Sequence, residues 1–254
     1  MQYRIEKFDP VKSKNDAMWL VIGPRNTGKS VLTKSLLYAT RERYDISVGM
    51  TMTEESAAEM RSYMPPIFVY NNGYDYAAAD RFVSVCQTIR KKQKTRHALM
   101  VLDDCMFDPK VMKTVTQNNL HLNGRHYNAT QFNTAQYCMI IPNVIRTNVD
   151  YVIVLRDSIL ANKRRLYEYF FGMFPSLSEF TKVFDSCTQN YGAMVLDKTS
   201  PSTKLKDCVK WYRASKDVPQ FKIGKPIFYK YSDRLIRYKE RKRSTDIGKH
   251  VLKI

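Results

Sequence analysis

Short runs of apolar residues alternate with longer segments of mixed polarity through roughly the first 155 residues of the chain. A short apolar run indicates a buried strand, whereas apolar residues three and four positions apart indicate a helix. The predicted strands are Ala17–Ile22, Ile46–Thr51, Ile67–Tyr70, Ala98–Leu102, Gln131–Gln136 and Tyr151–Leu155. The predicted helices are Ser30–Arg43, Glu54–Tyr63 and Ala77–Lys94, with another after Leu102. This alternation predicts an α/β fold with a mostly parallel sheet and helices on both faces.

The pattern changes after residue 157. The predicted elements there are helices over Arg164–Phe174 and Leu177–Thr188 and short strands over Ala193–Leu196 and Val209–Tyr212. Residues 222–254 hold eleven Lys or Arg against three Asp or Glu, so we expect a basic tail that has some structure near Ile227–Tyr231 and frays afterwards. We therefore expect a core over residues 1–157, a C-terminal part of the same domain over 158–221, and a basic tail over 222–254.

The composition excludes several classes of protein. The chain has 254 residues, a formal net charge of +18 and a hydrophobic fraction of 44%, which is ample for a core and excludes disorder throughout. It has no apolar stretch near the roughly 20 residues that a membrane span needs and no signal-peptide pattern. Its five cysteines are widely spaced and lack a C-x-x-C pair, which favours a reducing compartment. The positive charge favours a polyanionic partner.

A phosphate-binding motif follows the first predicted strand. The segment 23–30 matches G-x-x-x-x-G-K-[ST] in full and opens a helix, which is the setting that such a loop requires. Glycines allow a tight loop whose backbone N–H groups and helix N-terminus face phosphate. Lys29 is expected to reach the β- and γ-phosphates of a nucleotide, and Ser30 to bind Mg²⁺. The expected nucleotide-binding residues are Gly23, Pro24, Arg25, Asn26, Thr27, Gly28, Lys29 and Ser30.

Two carboxylates end the most apolar predicted strand. Asp103 and Asp104 follow Ala98–Leu102 and are expected at the carboxyl edge of the sheet, where nucleotides bind in open α/β folds. After a complete phosphate-binding loop, such a strand predicts the second half of the site, known as the Walker B motif. We expect Asp103 to hold Mg²⁺ and Asp104 to act as a general base or to orient the attacking water.

Two further segments, Asn123–Tyr137 and Ile145–Val152, make the pattern more specific. Together with the two motifs above, they resemble the genome-packaging ATPases of nucleocytoplasmic large DNA viruses and virophages, within the FtsK–HerA superfamily. The resemblance covers about Met18–Asp157. It implies a P-loop NTPase of the RecA/ASCE-like type that uses ATP and Mg²⁺ to drive double-stranded DNA into a capsid. It also implies a homo-oligomeric ring, partners at the capsid vertex, and a place in the host cytoplasm, at viral factories, or in the virion.

The resemblance also implies roles for three polar residues. Gln136 ends the strand after the acidic one, where this superfamily has a polar sensor of the γ-phosphate. Arg125 lies before that strand and Arg146 after it, and either could be an arginine finger delivered to the ATP of a neighbouring subunit. The planar guanidinium suits this role because it meets phosphoryl oxygens bidentately.

Other functions remain open from the residues alone. A small-molecule phosphotransferase, such as a nucleoside or nucleotide kinase, fits the chain length and the phosphate-binding loop. An ATP-gated DNA-binding scaffold without turnover is a third possibility. The basic run Arg90–Arg96 and the tail could contact DNA or simply be solvated. Two assays discriminate a DNA-packaging ATPase from a phosphotransferase. Duplex DNA should stimulate ATP hydrolysis by the former, whereas the latter should transfer phosphate to a nucleoside.

Overall fold

The computed structural model describes residues 3–92, 96–105, 108 and 110–249. The predicted basic run Arg90–Arg96 includes residues 93–95, which lie outside the described residues. The strands are β1 (Glu6–Lys7), β2 (Met18–Ile22), β3 (Ile46–Thr51), β4 (Val69–Tyr70), β5 (Ala98–Asp103), β6 (Ala129–Ala135), β7 (Tyr151–Leu155), β8 (Gly192–Asp197) and β9 (Val209–Arg213). The helices are α1 (Lys29–Thr40), α2 (Glu54–Tyr63), α3 (Tyr76–Lys92), α4 (Val115–Asn123), α5 (Asn143–Asn148), α6 (Leu160–Phe170), α7 (Leu177–Cys187), α8 (Leu205–Cys208) and α9 (Pro226–Lys249).

The strands form a single sheet with the order β1-β9-β8-β7-β2-β6-β5-β3-β4. β8 runs antiparallel to its neighbours β7 and β9, and the other pairs of adjacent strands are parallel. β2 lies at the centre, and its five residues are all buried. The carboxyl ends of β2, β5, β6 and β7 therefore meet at one edge of the sheet, which confirms the predicted α/β, mostly parallel fold.

Alternate side chains of the strands pack into two separate cores, one on each face of the sheet. Leu20 of β2 lies in the core covered by α3, α4, α5, α6 and α7. Trp19 lies in the core covered by α1 and α2, where its ring stacks between Phe132 and Tyr151 at centroid distances of 4.9 and 4.3 Å. This burial of both faces explains why β2 and β7 are continuously apolar rather than alternating.

The predicted and observed elements differ mainly where the sequence carries a weak signal. β1 has two exposed polar residues and no apolar run, so its pairing with β9 was not predictable from periodicity. The six-residue helix α5 and the four-residue helix α8 were also missed. α6 begins at Leu160, before the predicted start, and ends at Phe170. The helix predicted to reach Arg43 ends at Thr40 and continues as a 3₁₀ turn.

The basic tail is more ordered than predicted. α9 continues to Lys249 instead of fraying after Tyr231, and its first turns are held by the core. The backbone N–H of Ile67 donates to the buried Ser232 hydroxyl at 2.9 Å, and the Tyr229 hydroxyl donates to the Tyr63 carbonyl at 2.8 Å. These polar anchors are not visible as hydrophobic periodicity, which explains the wrong prediction. Residues 250–254 of the predicted tail lie outside the described residues.

Across the ranges described above, the structure contains no helix with the combined length and apolarity needed to cross a bilayer.

Candidate functional site

The loop Gly23–Ser30 joins the end of β2 to the start of α1 at the carboxyl edge of the sheet. Its conformation needs glycine at both motif positions. Gly28 has φ +95°, a left-handed conformation that residues with a Cβ seldom adopt. A Cβ at Gly23 would lie 2.7 Å from Thr27 Oγ1 and 2.8 Å from Leu155 Cβ, so the loop packs directly on the end of β7.

Lys29 is the first residue of α1, and its side chain is buried inside the loop. Its ammonium donates to the carbonyl of Gly23 at 2.8 Å and to that of Pro24 at 3.2 Å. The positive ammonium thus lies beside the N-terminus of α1, whose free N–H groups carry a partial positive charge. Both features favour an anion at this position, as predicted for phosphate.

The carboxylate pair and Gln136 are brought together by neighbouring strands. Asp103 is the last residue of β5, and Gln136 directly follows β6, the strand between β5 and β2. The Gln136 side-chain amide donates to Asp104 Oδ2 at 3.3 Å. Asp104 has φ +52°, an uncommon conformation for a residue other than glycine, and it marks the sharp turn at the end of β5.

Thr134 links the Asp103 carboxylate to the backbone of Asp104, and it was not predicted from the sequence. Its hydroxyl donates to Asp103 Oδ1 at 2.7 Å and accepts from the backbone N–H of Asp104 at 2.9 Å. A polar residue in a fully buried strand, two positions before Gln136, was the signal that could have identified it. The single hydroxyl therefore orients both acidic residues.

The carboxylates lie in a partly dehydrated environment. Burial raises the pKa of Asp103, as does the nearby Asp104, whereas the Thr134 hydrogen bond and the Lys29 charge act in the opposite direction. Asp104 Oδ1 is buried without a hydrogen-bond partner among the described residues. An unpaired buried carboxylate oxygen is costly unless a cation or a water binds it, and this oxygen therefore points to such a ligand.

The oxygen ligands offered by Asp103 and Ser30 suit Mg²⁺. Asp103 supplies a carboxylate, and Ser30, exposed in the first turn of α1, supplies a hydroxyl. Across residues 3–92, 96–105, 108 and 110–249, no three or more His, Cys, Asp or Glu side chains are grouped to hold a metal by themselves. Mg²⁺ in phosphate sites uses one or two carboxylates together with waters and substrate phosphates, so these two residues suit a nucleotide-bound ion.

A cavity of about 220 Å³ lies on the acidic side of the loop. Asp104, Thr134 and Gln136 line it together with Arg25 of the loop. Arg25 was predicted only as part of the phosphate-binding motif, and the structure places it in the lining of the same cavity as Asp104. The cavity therefore combines a cationic side chain of the loop with a carboxylate and an amide from the ends of β5 and β6.

The structure places Arg125 away from this site. It lies between α4 and β6, at the edge where the parallel strands begin, and its guanidinium donates to Asp150 Oδ1 at 2.6 Å. The other oxygen of Asp150 accepts from the backbone N–H of Met18 at 2.9 Å. The Arg125 side chain is nevertheless 69% exposed. Arg125 is therefore not brought to the loop of its own chain.

Arg146 is also outside the site. It lies on α5, and its guanidinium is 3.8 Å from the ring centroid of Tyr169 on α6. The Lys198 ammonium donates to the Arg146 carbonyl at 3.0 Å, which joins α5 to the end of β8. Stacking on an aromatic ring is an ordinary structural role for arginine.

Comparisons with known proteins place the chain among viral proteins. No protein-family model matches it. It is 28% identical over 220 residues to the uncharacterized protein 088R of Invertebrate iridescent virus 3, covering 85% of this chain and 84% of that protein. It is 30% identical over 199 residues to the uncharacterized protein 075L of Invertebrate iridescent virus 6, covering 76% and 73%.

Among solved structures, the fold is similar to that of the genome packaging NTPase B204 from Sulfolobus turreted icosahedral virus 2 in complex with ATP-gammaS. The TM-score is 0.57 at 14% sequence identity, over 80% of this chain and 99% of that chain. This likeness confirms the P-loop NTPase fold that was predicted from the sequence.

Proposed function

This chain belongs to the family of large-DNA-virus proteins that includes 075L of Invertebrate iridescent virus 6, and we propose that it is an ATP-driven motor that packages viral double-stranded DNA. The observation that carries the proposal is the meeting of Lys29, Asp103, Asp104 and Gln136 at one edge of the sheet. The similar fold of a protein described as a genome packaging NTPase supports the same function.

The proposed reaction is the hydrolysis of ATP by in-line attack of water on the γ-phosphate. Lys29 neutralises charge on the β- and γ-phosphates, and Asp104 orients the water and accepts its proton. The proposed role of Gln136, which is hydrogen-bonded to Asp104, is to sense the γ-phosphate. Ser30 and Asp103 would hold Mg²⁺, which supplies positive charge for the phosphates when it is bound.

The size of the cavity lined by Asp104 and Gln136 supports hydrolysis of ATP over transfer of its γ-phosphate to a small molecule. Its volume of about 220 Å³ is below the roughly 300–1,000 Å³ that is typical of small-molecule sites. It accommodates water beside Asp104 more readily than a nucleoside acceptor. The cavity therefore favours an ATPase over a phosphotransferase, and assays with nucleoside acceptors test this preference.

The charge of the chain supports duplex DNA as the polyanionic partner. A net charge of +18 suits sequence-independent binding, which comes almost wholly from contacts between Lys or Arg and phosphate. We place the protein in a homo-oligomeric ring at a capsid vertex, in the host cytoplasm or the virion. Within this ring, Arg125 is the preferred trans finger because its guanidinium is largely exposed, and Arg146, which is stacked on Tyr169, is the second candidate.

The test measures ATP turnover with and without duplex DNA, and separately with nucleosides as acceptors. We expect stimulation by DNA of any sequence and loss of turnover in Lys29→Ala. Lys34→Ala is the matched control, because Lys34 lies on the same helix and pairs with Glu59 at 3.1 Å. Appearance of a phosphorylated nucleoside would show a phosphotransferase, and ATP binding without turnover would show a scaffold.

A further inference from the structure

A second and larger cavity lies on the other side of the phosphate-binding loop. Its volume is about 640 Å³, and it lies against Asn26, Thr27 and Gly28 of the loop and Val31 of α1. Its remaining wall comes from the C-terminal part of the chain, where Tyr191 precedes β8 and Lys216 follows β9. The loop therefore separates two cavities, and Asp104 lines the smaller one.

The two cavities define the direction of a bound nucleotide. The carboxylates end β5, and β5 is separated from β2 by β6. The larger cavity lies on the opposite side of β2, toward β7, β8 and β9. A nucleotide whose γ-phosphate faces Asp103 and Asp104, with its β-phosphate in the loop, must extend its ribose and base toward the larger cavity.

Tyr191 has an unusual position in that cavity. Its side chain is 64% exposed, and Cδ1 of its ring would lie 3.8 Å from a Cβ at Gly28. Asn190 and Tyr191 both have positive φ, at +50° and +59°. The next residue, Gly192, packs closely on the end of α7, since a Cβ there would lie 2.2 Å from the Cys187 carbonyl oxygen. Residues other than glycine in this left-handed region cluster at active sites and ligand clamps.

We propose that Tyr191 stacks on the nucleobase of the bound nucleotide. The Tyr191 ring forms one wall of the base site, and Val31, which is 46% exposed, offers an apolar surface across the cavity. The Lys216 ammonium lies 5.1 Å from the Tyr191 ring centroid, which restricts the ring and adds positive charge near the ribose and α-phosphate. This inference rests on the proposed function, since it assumes that the loop binds a nucleoside triphosphate.

The test compares the binding of Mg²⁺·ATP with that of Mg²⁺ and inorganic tripolyphosphate, which has the phosphates but no base. Calorimetry on the full chain should show that Tyr191→Ala weakens ATP binding about 10-fold, in line with the loss of one aromatic stacking partner. Tripolyphosphate binding should stay unchanged. Tyr191→Phe should keep the wild-type affinity for ATP, because the ring remains. Tyr76→Ala is the matched control, an exposed tyrosine on α3 that lines neither cavity.

The outcomes separate this inference from the proposed function. Equal loss of both ligands in Tyr191→Ala would show that Tyr191 only supports the loop, and unchanged binding of both would show that the base lies elsewhere. Either result overturns the base site while the phosphate site stands. Failure of wild-type protein to bind either ligand, with Lys29→Ala unchanged from it, would instead overturn the proposed function.

Discussion

Replacement of Thr134 by valine tests whether one hydroxyl holds the catalytic carboxylates in place. Valine keeps the shape of the side chain but removes the bonds to Asp103 Oδ1 at 2.7 Å and from the Asp104 N–H at 2.9 Å. A hydrogen bond to a charged group contributes about 1.5–3 kcal/mol, and a buried N–H without an acceptor costs about 1–3 kcal/mol. Because these two effects share one atom and are not additive, we expect a loss of about 3 kcal/mol in the free energy of unfolding.

The same change should affect the chemical step more than binding. Lys29 and the loop are untouched, so the affinity for ATP measured without Mg²⁺ should remain near that of the wild type. A displacement of Asp104 by about 1 Å is sufficient to slow hydrolysis by about 10²-fold. Urea unfolding and single-turnover hydrolysis measure the two effects, and Thr134→Ser, which keeps the hydroxyl, should restore both. A valine variant with wild-type stability and turnover within a few-fold of normal would refute the reasoning.

Three further predictions concern the core, the tail and the ring. Burial lowers the pKa of His121 to about 4, so between pH 6.5 and 4 the unfolded chain binds more protons than the folded chain. The free energy of unfolding should therefore fall by about 3 kcal/mol as the pH decreases through that window. Urea unfolding should show a shallower decline for His121→Gln; an equal decline would contradict this cause. Residues 241–254 contain five Lys or Arg and one Asp, and their removal should reduce the slope of log K for DNA binding against log salt concentration by up to about four. An unchanged slope would exclude this segment as a DNA contact. Finally, a mixture of Arg125→Ala and Lys29→Ala subunits should recover ATP hydrolysis that neither variant has alone, whereas a cis or purely structural Arg125 gives no recovery.

The parts of the site that were predictable are those encoded by local sequence. Gly28 and Lys29 belong to one continuous motif, and a loop of this type binds phosphate wherever it connects a strand to a helix. Asp103, Asp104 and Gln136 each end a strand, and parallel strands bring their carboxyl ends to one edge. Knowledge of the strand boundaries was therefore sufficient to predict that these side chains lie at one edge, whereas the contact between Gln136 and Asp104 depends on the adjacency of β5 and β6.

The residues that were missed depend on contacts between distant parts of the chain. Thr134 binds Asp103 across 31 positions, and its role follows from the adjacency of β5 and β6, which periodicity does not specify. Tyr191 reaches the loop only because β8 joins the sheet antiparallel to β7, so that the start of β8 lies at the edge where β7 ends. A reversed strand in an otherwise parallel sheet has no local signal, so no sequence pattern placed Tyr191 near Gly28.

Arg125 and Gln136 are close in sequence but lie at opposite edges of the sheet. Only eleven positions separate Arg125 from Gln136, yet β6 runs between them from one edge of the sheet to the other. Seven residues at about 3.3 Å per residue place the two ends of β6 roughly 20 Å apart. Arg125 therefore cannot serve the ATP site of its own chain in this fold, and an exposed guanidinium at the opposite edge can reach such a site only on another copy. A contact between two different edges of identical subunits is heterologous, and heterologous contacts that close generate rings. A trans role for Arg125 therefore requires an oligomer with heterologous contacts, such as the proposed ring.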